Sequence, residues 1–259
     1  MELKDVVYET RGQAAWITLN RPRMLNALSA EMLANLRRAC EAAGDDRNVR
    51  AVVICGAGRG FCAGADIHVM DNASLESFRA FLLPFTDLCS LIREFPKPTI
   101  AAINGVAVGG GFEITLVCDF RVAARSATLG SHEVNINQPM TNGSTYLLPR
   151  LIGEGRAKLL AMTGEIISAE EAARIGLVSS VVDDQGLTAA VEDLIARLVS
   201  VGPIAVACVK ECIARSRDVD IDGALMLENE AATKCFVSVN QQEGLRAFLE
   251  KRKASWSGR

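Results

Sequence analysis

The chain has 259 residues, 49% apolar and 23% charged, enough to bury a substantial core as one large domain with at most a small appendage. Basic and acidic residues are mixed throughout with a formal charge of −3, which leaves no basic stripe, so neither nucleic acid nor an anionic membrane is an expected partner. Met1-Glu2-Leu3-Lys4-Asp5 lacks the basic-then-apolar order of a secretory leader, and no apolar run approaches the ~18 residues of a membrane span, so a cytoplasmic location is expected.

In chain order, Val6-Val7-Tyr8 and Ala15-Trp16-Ile17-Thr18-Leu19 read as two strands joined at Arg11-Gly12, and Asn20-Arg21-Pro22 ends them. Ser29 followed by Glu31, with apolar Met32, Leu33, Leu36 and Cys40, predicts an N-capped amphipathic helix. Ala51-Val52-Val53-Ile54-Cys55 is solidly apolar, the mark of a strand buried on both faces, and glycines 56, 58 and 60 turn the chain after it. A helix is predicted from about Ser74 to Glu94. After Pro96-Lys97-Pro98 comes a buried strand, Thr99–Ile103, then Asn104-Gly105, the glycines 109–111, an apolar helix and a strand over Phe120–Ala124. Such alternation predicts an α/β architecture with crossover helices. From about Ala189 the pattern is helical, with candidates near 189–200, 203–216, 221–238 and 241–251. Their amphipathic faces pack either against a neighbouring subunit or back on the core. The sequence shows no internal repeat.

The eight cysteines are scattered in apolar segments and read as reduced core fillers. Cys208 and Cys212 sit one helical turn apart, but no second Cys/His pair accompanies them, so no metal site is expected.

Two glycine-rich segments carry the chemical interest. Gly56-Ala57-Gly58-Arg59-Gly60-Phe61-Cys62-Ala63-Gly64-Ala65-Asp66-Ile67 follows a buried strand. It is either a plain turn or a concavity of N–H groups able to receive an anion or a polarised carbonyl oxygen. Gly58 to Ala63 also fits a loose dinucleotide pattern, but no apolar helix follows and no phosphate-binding G-x-x-x-x-G-K-[ST] is present. The second segment, Asn104 to Glu113, opens a helix with three glycines, which are costly in backbone entropy and therefore point to close ligand approach. Glu113 lies about one turn inside that helix, and Glu133 follows in Gly130-Ser131-His132-Glu133-Val134. Either glutamate alone reads as a solvated carboxylate; with two sets of N–H donors they form a kit for charge stabilisation and proton transfer.

Taken together, the sequence resembles the crotonase, or enoyl-CoA hydratase/isomerase, family and most of all its two-glutamate hydratases. The resemblance rests on Leu19-Asn20-Arg21-Pro22 with Asn26-Ala27-Leu28, Phe61 to Ile67, Pro98 to Glu113, Cys118-Asp119, Leu148 to Gly153 and Ala247 to Lys253. It implies a spiral of β-β-α repeats over 1–195 and a helical trimerisation region over 196–259, in homotrimers or homohexamers. It further implies that the backbone N–H groups of Ala65 and Gly110 form an oxyanion hole for an acyl-CoA thioester, that Glu113 handles the water, and that Glu133 serves the α-carbon. CoA is part of the substrate, and no separate cofactor is implied. Arg23, Leu25, Ala63, Asp66, Ile67, Phe248 and Lys251 match positions along the CoA ligand, although Arg23 and Lys251 read equally as surface cations.

Hydration of a 2,3-double bond places negative charge on the thioester oxygen, and each prepositioned donor is worth roughly 3 kcal/mol in comparable sites. Two acids in one dry pocket cannot both ionise easily, so one is expected to stay protonated near neutrality. The acyl-pocket walls are expected near Phe81, Phe85 and the 134–146 loop, Thr141 included. This loop departs from the family pattern. His132 replaces a common proline, where it is either an added acid–base group or structural, and Thr141 stands where a glycine usually borders the water. The polar Asn135, Asn137, Gln138, Thr141 and Asn142 either line the pocket or make a capped surface turn. The alternatives to a hydratase are a double-bond isomerase on the same scaffold and a non-catalytic acyl-CoA- or RNA-binding paralogue.

Overall fold

The computed structural model describes residues 3–71 and 73–257; Met1 and Glu2 of the leader comparison lie outside them. Strands β1 (Val6–Arg11) and β2 (Ala14–Leu19) form a hairpin and are followed by helix α1 (Ala30–Asp45), whose Ser29 cap accepts a hydrogen bond from the Met32 N–H. Three strand–strand–helix turns come next. The first is β3 (Ala51–Gly56), β4 (Gly60–Cys62), a short α2 (Ile67–Met70) and the long α3 (Leu75–Glu94). The second is β5 (Thr99–Ile103), β6 (Val106–Val108) and α4 (Gly110–Val117). The third is β7 (Phe120–Ala124), β8 (Thr128–Gly130), α5 (Ser144–Ile152) and α6 (Glu154–Thr163). After β9 (Ile166–Ser168), α7 (Ala169–Arg174) and β10 (Ser180–Val182) the chain is helical: α8 (Leu187–Val199), α9 (Pro203–Arg215), α10 (Ile221–Phe236) and α11 (Val239–Leu249).

In each turn the first strand joins a six-stranded sheet, ordered β1-β2-β3-β5-β7-β10, and the second joins a four-stranded sheet, ordered β4-β6-β8-β9. The β2-β3-β5-β7-β10 ladder is parallel throughout. The β-β-α spiral is therefore present in space although the sequence carries no repeat: packing needs apolar residues at equivalent places, not identical ones.

The central strands of the large sheet are buried on both faces, which explains their solid apolar runs. Val52, Ile54, Ala101 and Ile103 face the main core with α1, α3 and α4, while Ala51, Val53, Ile100 and Ala102 face Leu187, Val191 and Ile195 of α8. Those three residues recur every fourth position, one stripe of a helix. The boundary at 195/196 consequently falls inside α8, a helix of the core, and the peripheral set begins at α9. That set is held partly by Lys210, whose ammonium donates to Asp119 Oδ2 (2.7 Å), which also accepts the Thr99 N–H. Otherwise α9–α11 bury little of themselves and expose Val209, Ile213, Leu225, Met226, Phe236, Phe248 and Leu249.

All eight cysteines are free; five are buried and Cys55, Cys212 and Cys235 only half-buried. Burial pushes the thiols of Cys40, Cys62 and Cys118 up to about 12, so they are neutral filler. No described helix is long and apolar enough to cross a membrane.

Candidate active site

The site lies where the three turns put their second strands side by side. After β3 the loop is pinned by two asparagine amides. The Asn26 side chain donates to the carbonyls of Ala57, Gly60 and Phe61 (2.8–3.1 Å), and Asn104 accepts the Gly56 N–H while donating to Gly58 and Gly60. Beyond β4 the chain forms a single parallel bridge, Leu28 to Ala65: Leu28 N–H donates to Gly64 O and Asp66 N–H to Leu28 O. This pairing uses the residues on either side of Ala65 and directs the Ala65 N–H away from the bridge.

The second loop sits directly against the first. Gly109 caps α4 and donates to Gly130 O; its φ of +55 is strained for any residue with a side chain, and a Cβ there would lie 2.9 Å from Glu133 Oε1 and displace that carboxylate. A Cβ on Gly64 would lie 3.3 Å from the Gly110 nitrogen, so the two turns are in contact. As the first residue of α4, Gly110 has an N–H with no partner one turn back, at the positive end of the helix dipole. Its Cα faces the Phe85 ring, 2.9 Å from a hypothetical Cβ, and Phe81 packs beside Phe85 with ring centroids 6.4 Å apart. The expected pocket phenylalanines therefore form a buried wall on α3 against the second loop.

Glu113, one turn into α4, is 2% exposed. The Thr141 N–H and hydroxyl donate to its Oε1, the hydroxyl at 3.1 Å, and the Asn142 amide donates to its Oε2 at 2.7 Å. Burial pushes its carboxyl up to about 7; the Thr141 and Asn142 donors pull it down, and the Glu133 charge adds to the rise. Glu133 opens a 3-10 turn (Glu133–Ile136), is half-buried, and accepts the Ser131 hydroxyl at 2.5 Å. The two carboxyls thus share one field, and Glu113 holds its proton into the neutral range.

The predicted CoA positions divide into two groups. Leu25 O accepts the Ala63 N–H (2.9 Å), and Arg23 is exposed in the 3-10 turn Pro22–Met24, so these three lie along the first loop with Asp66 and Ile67. Ile67 is exposed, whereas the Asp66 side chain is buried in an ion pair with Arg21 (2.9 Å), which also donates to Ala27 O. The Asp66 carboxylate therefore holds the loop, leaving only its backbone for a ligand. Phe248 and Lys251 lie elsewhere, exposed at the end of α11; Phe248 lines a 250 Å³ cavity with Ile204, Leu245 and Trp256 that contains no residue of the glutamate site.

Four contributors escaped the sequence reading as site residues: Asn142, Thr86, Ser131 and Arg21. Asn142 reads from sequence as a pocket-lining residue or part of a capped turn, not as a partner of Glu113, yet it donates to Glu113 and accepts the Thr86 hydroxyl (2.8 Å). Its signal was the departure itself, a hydrogen-bonding side chain beside the position where glycine is usual. Ser131 follows β8 and meets Glu133 because the chain turns at His132 (φ −108, ψ 12) into the 3-10 turn, a bend that the sequence does not signal.

A model of the enoyl-CoA hydratase/isomerase family matches residues 9–259. The chain is 40% identical over 257 residues to the crotonyl-CoA hydratase of Syntrophomonas wolfei, covering 99% of each chain. It is also 40% identical to the short-chain-enoyl-CoA hydratase of Clostridium acetobutylicum, covering 98% of this chain and 97% of that one. The crystal structure of an enoyl-CoA hydratase from Bacillus anthracis superposes with a TM-score of 0.96 at 38% identity, over 99% of this chain and 100% of that one. With fold and sequence agreeing from end to end, the chain belongs to the enoyl-CoA hydratase/isomerase family.

Proposed function

We propose that the protein is an enoyl-CoA hydratase, adding water across the 2,3-double bond of a 2-enoyl-CoA or removing it from a 3-hydroxyacyl-CoA. The thioester oxygen sits between the Ala65 and Gly110 N–H groups, where charge develops as water adds at C3. Glu113 takes a proton from that water as hydroxide bonds to C3, and Glu133 delivers a proton to C2; exchange with water between the two carboxyls restores the starting state. A base whose carboxyl burial pushes up toward the working pH is matched to this task, and the observation that carries the reading is geometric: Glu113, buried one turn into α4 and held by Thr141 and Asn142, with Glu133 against Gly109 at the start of the same helix.

CoA enters as part of the substrate and runs along Arg23, Leu25 and Ala63 and the backbone of Asp66 and Ile67; Phe248 and Lys251, which lie apart from this loop within the chain, reach the nucleotide end from a neighbouring copy. Phe81, Phe85 and Thr141 bound the acyl group. A short straight acyl chain is the first choice, since relatives named for crotonyl-CoA and short-chain enoyl-CoA are 40% identical. The exposed apolar face of α9–α11 supports association with further copies of the chain, which we read as a homotrimer or homohexamer; the mixed charge, with no basic stripe, supports a cytoplasmic reading without nucleic acid or membrane as partner.

The test is the loss of enoyl-thioester absorbance with purified protein on short, long, branched and cyclic 2-enoyl-CoAs. Turnover of the short members is expected, whereas bound but unconverted thioesters throughout the panel would overturn the hydratase reading.

A further inference from the structure

Glu113 changes charge during the proposed reaction, so its neighbours meet two different demands. The ionised carboxylate needs donors, and the neutral acid needs an acceptor for its proton. Thr141 supplies donors. Asn142 and Thr86 are arranged to supply either.

The Thr86 hydroxyl has one hydrogen but two acceptors within reach, Leu82 O at 3.1 Å and Asn142 Oδ1 at 2.8 Å. Asn142 in turn presents Nδ2 to Glu113 Oε2 at 2.7 Å and to Thr141 Oγ1 at 3.0 Å. Its backbone is at φ +54, a left-handed conformation that asparagine tolerates, and its side chain reaches Thr86 on α3 and Glu113 on α4. In this arrangement the ionised Glu113 accepts from Asn142, and Asn142 accepts from Thr86. Rotating the amide by half a turn gives a second closed set: the protonated Glu113 donates to Asn142 Oδ1, Asn142 Nδ2 donates to Thr86 Oγ1, and the Thr86 hydrogen turns to Leu82 O. Both sets leave each of these buried or half-buried groups partnered, which is where such groups gain most.

We propose that Asn142 and Thr86 are positioning residues, a reversible two-state relay that holds Glu113 in one orientation whether or not it carries the proton taken from water. The relay deepens the hydratase reading and rests on it for its role in turnover, although the hydrogen-bond reversal itself is a property of the free protein.

The other ionisable groups around Glu113 are few. Glu133 faces it from the end of β8 and Cys89 from α3, while Cys62 of β4 lies behind Gly111. Both cysteines are buried and neutral through the working range. Arg93 of α3 and Tyr146 of α5 line the 250 Å³ cavity shared by Thr86 and Asn142, but Arg93 pairs with Glu94 and Tyr146 with Asp218. No titratable residue comes from β6.

The experiment is a 13C NMR titration of the Glu113 carboxyl in the full-length protein, assigned by difference from Glu113→Gln, together with the Asn142 side-chain amide. In the wild type the Asn142 amide protons are expected to shift with the same midpoint as Glu113. In Asn142→Ala the donor to the ionised form and the acceptor for the neutral acid are lost together; the bond to the charged form is the stronger, so the midpoint moves up by less than about one pH unit. Thr86→Val moves it in the same direction by less, and Thr86→Ser restores it; this pair keeps the test decisive if Asn142→Ala folds poorly. The acidic limb of kcat/KM for enoyl-CoA hydration is expected to follow these midpoints. A midpoint unchanged in both Asn142→Ala and Thr86→Val, or an Asn142 amide insensitive to Glu113 ionisation, overturns the relay. A wild-type protein that hydrates no enoyl-CoA would defeat the proposed function instead, and the titration would still decide the relay.

Discussion

At the scale of single residues, Glu113 couples the site to stability. Its carboxyl holds its proton up to about 7 in the fold against 4.5 in an open chain, so the folded state binds the proton more tightly. Below the lower value both states are protonated and nothing is gained or lost. Between the lower value and the upper one, where only the folded state holds the proton, stability falls by about 1.4 kcal/mol per unit, and above the upper value the loss levels off at about 3 kcal/mol. Glu113→Gln, which carries no charge, is expected to gain on the wild type by about that amount between about pH 4 and about pH 8, read from urea denaturation at each pH. A pH-independent difference would contradict the assignment. Gly111→Ala offers a second check, because a Cβ there would lie 2.3 Å from the backbone oxygen of Cys62. It is expected to cost at least about 3 kcal/mol of stability, or to prevent folding, as measured by thermal melting. The residue scale is also where sequence reading fell short. Glu113 was legible from the three glycines before it, and Glu133 only in combination with Glu113 and the two glycine-rich segments. Asn142 was not: its partner is 29 residues away, and an asparagine beside a glycine is adequately explained by the turn it sits in.

At the scale of elements, legibility followed length. The strands of the large sheet run five or six residues where apolar runs could declare themselves, except β10, which has three. Every strand of the small sheet has three residues, too few for a period of two, and its pairing is set by the larger fold. The helices from α8 onward were placed within a few residues, but their allegiance was not, because an amphipathic stripe says that a partner exists without saying which. α8 turns its stripe to the sheet, whereas α10 has no buried residue. Charging the two should therefore differ. Val191→Asp puts an unpaired carboxylate into the core and is expected to cost about 3–5 kcal/mol or more, seen as a lowered melting temperature. Met226→Glu on exposed α10 is expected to leave the secondary structure by circular dichroism intact while reducing the molecular mass in light scattering toward a single chain. A Met226→Glu protein of unchanged mass would show that α10 is no subunit interface.

At the scale of the whole molecule, the spiral brings together residues that are far apart in sequence. One loop leaves β4 and another leaves β6, adjacent strands of the small sheet, so the Ala65 and Gly110 donors arrive side by side. The third turn lays Glu133 and the Thr141–Asn142 pair over them. Each pass of the chain adds one part of a site that none could form alone, which is why the glutamates had to be read with the glycine turns to mean anything. The measurement that tests this account most directly is the rate of crotonyl-CoA hydration by the wild type, Glu113→Gln and Glu133→Gln, with binding of the thioester followed in parallel. The account predicts that the wild type turns over, that each variant still binds the thioester, and that each loses at least about 10²-fold in kcat, the scale of a general acid or base. A variant that keeps the wild-type rate, or a wild type that binds crotonyl-CoA without hydrating it, would contradict the account.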